Sequence, residues 1–161
     1  MAKYTVTAAG WTTTATAAGA IPAANNIFHA LRTASSTNTA RIQEVYLAGE
    51  STTSTVVRMR LARASTNSTG PTDVTPANLN PLSAAAVARG YVAVATTRPT
   101  ITSNPPTLEL GFNAFGGVVR WVAAPDEEVW ITTTTAPNSD VVLASESGAG
   151  TVSDHIIFEE I

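Results

Sequence analysis

From Thr55 to Thr66 the chain reads TVVRMRLARAST, and Val57, Met59 and Leu61 alternate with Arg58, Arg60 and Ala62. A period of two marks a strand with one face in a core and the other toward water or a partner. The preceding run, Ala40 to Ala48 (ARIQEVYLA), also predicts a strand, with apolar residues on both faces: Ile42 and Tyr46 against Val45 and Leu47. The polar link between them, Gly49 to Ser54, suits a hairpin.

The same alternation recurs along the chain. Lys3 to Ala9 predicts a short strand that Gly10 interrupts, and Trp11 to Ala18 is rich in Thr and Ala, as a strand or an extended arm would be. Such an arm lies on its own domain or reaches a neighbouring subunit. Ile27 to Arg32 predicts a short strand or one helical turn, with Ile27, His29 and Leu31 on one face. Asn67 to Pro81 is broken by prolines. Ser83 to Arg89 (SAAAVAR) is the one segment that predicts a short helix, with Gly90 placed to end it. Further strands are expected at Tyr91 to Thr97, Thr107 to Phe112, Val118 to Ala123, Glu128 to Thr135 and Val141 to Ser145. The last run, Val152 to Ile161, is apolar on both faces, which predicts an interior position in a sheet or an edge covered by another subunit.

About nine or ten short strands with frequent turn signals predict an all-β fold, an antiparallel sandwich or barrel. No repeat of fixed period is present, which disfavours propellers and solenoids. Eight strands in two sheets, with spare strands at the ends, would make a jelly-roll-like β-sandwich. Residues 1–20 are expected as an extended N-terminal arm or first strands, and 21–161 as a single sandwich domain.

Composition narrows the function. A net charge of −3 argues against nucleic acid as a partner, since phosphate binding wants a basic surface. Lys3 is the only lysine, and the remaining basic residues are arginines, which keep their charge when desolvated and grip carboxylates with two prongs. Charged residues make up 13%, fewer than a lone monomer usually carries, which fits a surface covered by neighbours or solubilised by hydroxyls. Cysteine is absent, so disulfides and thiol chemistry are excluded. No run approaches the roughly 18 apolar residues of a membrane span. The start of the chain lacks a signal-peptide pattern, so synthesis in a cytoplasm without general export is expected.

The usual constellations of chemistry are weak. His29 and His155 with Asp154 would hold a metal only if the fold gathered them, and no HxH or HxxxH spacing supports that. Asp154-His155 suggests a serine triad, but no GxSxG elbow accompanies it. Asp126, Glu127 and Glu128 read as a solvated turn or as partners for arginines across an interface, without EF-hand spacing for calcium. Asn67-Ser68-Thr69 matches a glycosylation sequon, which means little without a secretory signal. No catalytic, metal or cofactor-binding residue is therefore expected. The candidate interface residues are Tyr4 and Trp11 near the N-terminus, Arg58 and Arg60 facing a neighbour's carboxylates, and Trp130.

The order of segments carries a resemblance. An Ala/Thr-rich N-terminal arm is followed by RIQEVYLAGESTTSTVVRMRLAR, a Pro-broken loop with LNPLSAAA, WVAAPDEEVWI and a closing HIIFEEI. This layout, above all Arg41 to Leu47, Val56 to Arg63 and Ile156 to Glu160, resembles the small jelly-roll head decoration (cement) proteins of tailed bacteriophages. The resemblance implies a virion structural protein without enzymatic activity. It would be a trimer on the outer surface of an icosahedral head, bridging major capsid subunits, with no nucleic acid or membrane partner. The alternative is a glycan-binding β-sandwich, such as a phage fibre or receptor-binding domain. That reading requires an exposed, co-planar pair among Trp11, Trp121 and Trp130.

Overall fold

Strand after strand places its apolar residues at every second position, and each sheet built from such strands has a face that only another sheet can cover. The computed structural model describes residues 1–13, 29–33, 37–64, 66, 72–92, 99–101, 106–132 and 140–161. Within them the chain forms β1 (Ala2–Thr13), β2 (His29–Arg32), β3 (Ala40–Glu50), β4 (Val56–Arg63), β5 (Thr72–Val74) and β6 (Ala77–Asn78). It continues through β7 (Arg89–Val92), β8 (Leu108–Asn113), β9 (Phe115–Val122), β10 (Val129–Ile131), β11 (Asp140–Ser147) and β12 (Gly150–Glu160).

All pairings are antiparallel and make two six-stranded sheets. The first runs β10-β3-β12-β1-β6, with β9 on the same side of β3 as β10; the second runs β5-β7-β2-β11-β4-β8. The protein is an antiparallel β-sandwich. The expectation of an interior final strand is met, since β12 lies between β1 and β3.

The main core joins the inner faces. Tyr4, Val6, Val45, Leu47, Ile156 and Phe158 of the first sheet meet Leu31, Val57, Met59, Leu61, Val141 and Leu143 of the second. Tyr4 stacks on Phe158 with ring centroids 5.6 Å apart. The second sheet also carries a smaller apolar layer on its outer face, from Ala30, Ala62, Ala64, Val142, Ala144 and Ile101. That is why β11 reads as an unbroken apolar run where a one-sided strand would alternate.

Two expectations are corrected. The Gly49–Ser54 link is no hairpin: β3 belongs to the first sheet and β4 to the second, so the chain crosses between layers there. Ser83 to Ala88 is irregular, and Arg89 begins β7. The Ala84 carbonyl accepts hydrogen bonds from Tyr4 Oη and Asn78 Nδ2, and the Val87 and Ala88 amides donate to Glu160, so partners outside the segment satisfy groups a helix would pair internally. Of the two readings of residues 1–20, first strands or an extended arm, residues 2–13 take the strand form as β1 of the first sheet; 14–20 lie outside the described residues, as does Asn67.

The apolar positions on both faces of β3 have a simple cause. A register shift between Ile157 and Phe158 leaves Gln43 as an extra residue, so Ala40 and Ile42 face inward, and Val45 and Leu47 do so after the bulge. In β1 a bulge with left-handed Gly10 (φ 64°) does the same, turning Trp11 inward in the place strict alternation would give to Gly10.

The crossover is crowded. Ala114 donates its amide to the Thr55 carbonyl at 2.8 Å and accepts from the Ser51 amide at 2.9 Å. A Cβ on Gly49 would overlap the Ala114 backbone, and one on Gly150 would lie 2.7 Å from Ala114 Cβ. Gly49→Ala is expected to lower unfolding stability by about 1–3 kcal/mol through overpacking. Urea denaturation reads this directly, and an unchanged midpoint would contradict the crowding.

Candidate functional site

Two places combine polar chemistry with a defined geometry: a buried knot between the sheets and the outer face of the first sheet. The knot is built from β12, β2 and β1. Asp154 faces inward between Val152 and Ile156 and is fully buried. Its Oδ2 accepts a 2.8 Å hydrogen bond from Trp11 Nε1, and its Oδ1 pairs with Nδ1 of the equally buried His29. The bulge at Gly10 is what brings the indole to the carboxyl. Among the described residues His29 Nε2 has no hydrogen-bond partner.

The two histidines do not converge. His155 follows Asp154 on a strand and so faces the opposite way, where its Nε2 meets Thr5 Oγ1 and its Nδ1 lies 3.5 Å from Thr7 Oγ1. That alternation separates the suspected Asp154-His155 pair and scatters the suspected metal ligands. Among the described residues no group of three ligating side chains gathers.

The outer face of the first sheet is ordered in rows by strand register. One row is Trp130, Arg41, Glu159 and Lys3; the next is Val122, Glu44, Ile157 and Thr5. A third is Arg120, Tyr46, His155 and Thr7, and a fourth joins Val118, Ala48 and Ser153. Its charges are largely settled within the chain. Arg120 grips Glu44 with two prongs at 2.6 and 2.8 Å. Arg41 reaches Glu159 at 2.6 Å and Glu128 at 3.4 Å, and lies 5.8 Å from the centre of the Trp130 ring. The carboxylate turn thus has an arginine partner within the chain. Along the β9 side exposed apolar side chains lie on either side of the Arg120–Glu44 pair: Phe115, Val118 and Val122 are 59%, 56% and 55% exposed, and Trp130 of β10 is exposed on the same face.

The five candidate interface residues fall in four environments. Tyr4 and Trp11 are core residues, 3% and 5% exposed. Arg58 is half-exposed and donates from Nε to Glu109 at 2.7 Å. Arg60 is 1% exposed, its Nε and Nη2 without hydrogen-bond partners among the described residues, on a strand whose outward face was expected to be open. Trp130 is the one aromatic of the set open to a partner. The three tryptophans form no common platform, since Trp11 is buried, Trp121 packs against the main core and Trp130 lies on the outer face.

Sequence reasoning missed the β9 strip and both polar clusters. Val118 and Val122 alternate visibly, but an isolated strand does not reveal which of its edges stays bare. A recess of about 310 Å³ near the crossover, lined by Thr12, Glu50, Ser51, Thr52, Thr53 and Thr151, was equally hidden. Glu50 Oε1 accepts from Ser153 Oγ beside it.

No protein-family model, no curated protein and no solved structure matches the chain.

Removing Asp154 while keeping its partners strands buried polar groups. Asp154→Leu is expected to cost about 3–5 kcal/mol, and the double variant His29→Leu/Asp154→Leu less than the sum of the single changes. A double-mutant cycle in urea checks this, and strict additivity would dissolve the knot as a unit. The surface pair predicts a pH effect. The hydrogen bonds from Arg120 hold the Glu44 carboxyl below its usual range, against the desolvation that raises it. Its stabilising increment is therefore present above the unfolded-state value of about 4.3 and is lost as pH falls through the lower folded value. Glu44→Gln should thus be less stable than wild type at neutral pH and match it in acid. The gap should be under about 1 kcal/mol and shrink in high salt, because the pair is exposed.

Proposed function

We propose that this chain is a virion structural protein: a jelly-roll-like decoration protein that binds the outer surface of an icosahedral phage head and bridges major capsid subunits. The observation that carries the reading is the open strip of Phe115, Val118, Val122 and Trp130 along one side of a sandwich whose nearby charges are paired within the chain. Large apolar side chains gathered along one side of a small domain, with the one charge among them already paired, suit a docking surface. Repetition of one modest contact by shell symmetry multiplies its binding. The order of segments, from RIQEVYLAGESTTSTVVRMRLAR to HIIFEEI, supports the assignment to decoration proteins. In this reading the protein acts on the virion exterior by adhesion, as a trimer and without catalysis. The lack of a shared tryptophan platform weakens the glycan-binding alternative.

The deciding experiment is co-sedimentation with heads assembled from the major capsid protein encoded in the same genome. Saturable binding at a copy number set by shell symmetry, with a raised temperature of head disruption, is the expected result. Heads that neither bind the protein nor gain stability would overturn the proposal.

A further inference from the structure

The first sheet ends on β9, and the backbone of that strand is laid out to pair with a copy of itself. Its inner side is bonded to β3 in the register Val122 opposite Glu44, Arg120 opposite Tyr46 and Val118 opposite Ala48. The Ala123 amide donates to the Gln43 carbonyl at 2.9 Å, continuing the same register. In an antiparallel ladder the main-chain groups of successive residues point to alternate sides. The amides and carbonyls of Ala123, Trp121 and Val119 therefore face β3. Those of Val118, Arg120 and Val122 face outward, and among the described residues no strand pairs with that side.

Among the described residues the one feature that could guard this edge is the Arg120 charge. Val118 to Val122 contains no proline, lysine or inward-pointing charge, the devices that keep edge strands apart. The one charge in the run, Arg120, is drawn back over β3 onto Glu44, so the edge can be covered without burying a charge that lacks a partner. The side chains are arranged symmetrically about Arg120: Val118 and Val122 on the outer face, Val119 and Trp121 on the inner.

We infer that two copies of this chain join through antiparallel β9–β9 pairing about a two-fold axis at Arg120. In that register Val118 meets Val122 of the second copy, Val119 meets its Trp121, and Arg120 lies opposite its own counterpart, a like-charge pair whose repulsion is offset because each guanidinium is held by Glu44 of its own chain. Every outward amide and carbonyl of Val118, Arg120 and Val122 finds a partner in the same step. A neighbouring edge of another protein would satisfy the backbone; a second copy also pairs the valines and Trp121 on both faces, because the run is symmetric about Arg120. The contact is small, and such interfaces are weak. It goes beyond the capsid reading and is tested without capsids.

Cysteine is absent from the chain, so single substitutions give a clean readout. Across a two-fold axis at residue 120 the paired Cα atoms would lie about 5.5 Å apart, within the span of a disulfide. Arg120→Cys should therefore give a covalent dimer on mild oxidation. Val122→Cys alone should not, whereas an equal mixture of Val118→Cys and Val122→Cys proteins should link heterologously. By analytical ultracentrifugation at high micromolar concentration the wild type should form even-numbered species, dimers or, where a three-fold contact is also made, hexamers. The double variant Val118→Lys/Val122→Lys, folded by circular dichroism, should lose the two-fold step. A wild type that stays monomeric, a trimer that never doubles, or cross-linking as efficient through Val122→Cys as through Arg120→Cys would each overturn the inference. Failure of head binding would leave it untouched, and loss of pairing would leave head binding to be judged by co-sedimentation.

Discussion

The fold depends on keeping apolar side chains inward along strands whose alternation is unforgiving. A slip of one residue turns every following side chain to the wrong face. The chain corrects its own phase with single extra residues: Gly10 in β1, Gln43 in β3, and the irregularity between Ser145 and Ser147 in β11. The first of these has a second effect, because it aims the Trp11 indole at Asp154. A buried carboxyl in a sandwich core is costly unless it is bonded. The bulge and the carboxyl are thus parts of one arrangement, with His29 from the opposite sheet completing it. The knot ties β1, β2 and β12 at one place, so that two layers otherwise held by non-directional burial acquire a fixed relation.

The outward surfaces follow another logic. On the first sheet, arginines and carboxylates pair across strands, Arg120 with Glu44 and Arg41 with Glu159, and leave the intervening valines and Trp130 uncovered. On the second, Arg32 bonds bidentately to Asp140 and lies 4.6 Å from the Tyr91 ring centre, on a face that also holds the alanine-rich layer. Arginine suits these positions because its planar head serves a carboxylate and an aromatic face at once. The scarcity of lysine noted in the sequence thus has a structural counterpart, with several arginines acting as cross-strand fasteners.

Much of the architecture was legible from period two alone. The alternation of Val57, Met59 and Leu61, of Leu108, Leu110 and Phe112, and of Val129 and Ile131 against Trp130 reproduces the observed faces. What stayed hidden depended on long-range pairing. The Gly49–Ser54 link looks like a hairpin because its composition is that of a turn, and only the partners of β3 and β4 show that they lie in different sheets. Ser83 to Arg89 has helical composition, but Tyr4, Asn78 and Glu160 claim its backbone groups from afar. The candidate site was less legible still. Trp11 and Tyr4 carry the aromatic chemistry of an interface and serve the core, while the open strip on β9 consists of valines that no motif would single out.

The position of β11 has a consequence for how the molecule loosens. Val141, Leu143, Val142 and Ala144 place it between two apolar layers, and its flanks are bonded to β2 and β4. Its amides should be released to solvent deuterium only when the whole domain opens, whereas the outward amides of β9 exchange from the native state. The sandwich is therefore stiffest along the middle of its second sheet and softest at the rim of its first, which no described strand covers, so that rigidity and stickiness belong to different layers of the same small body.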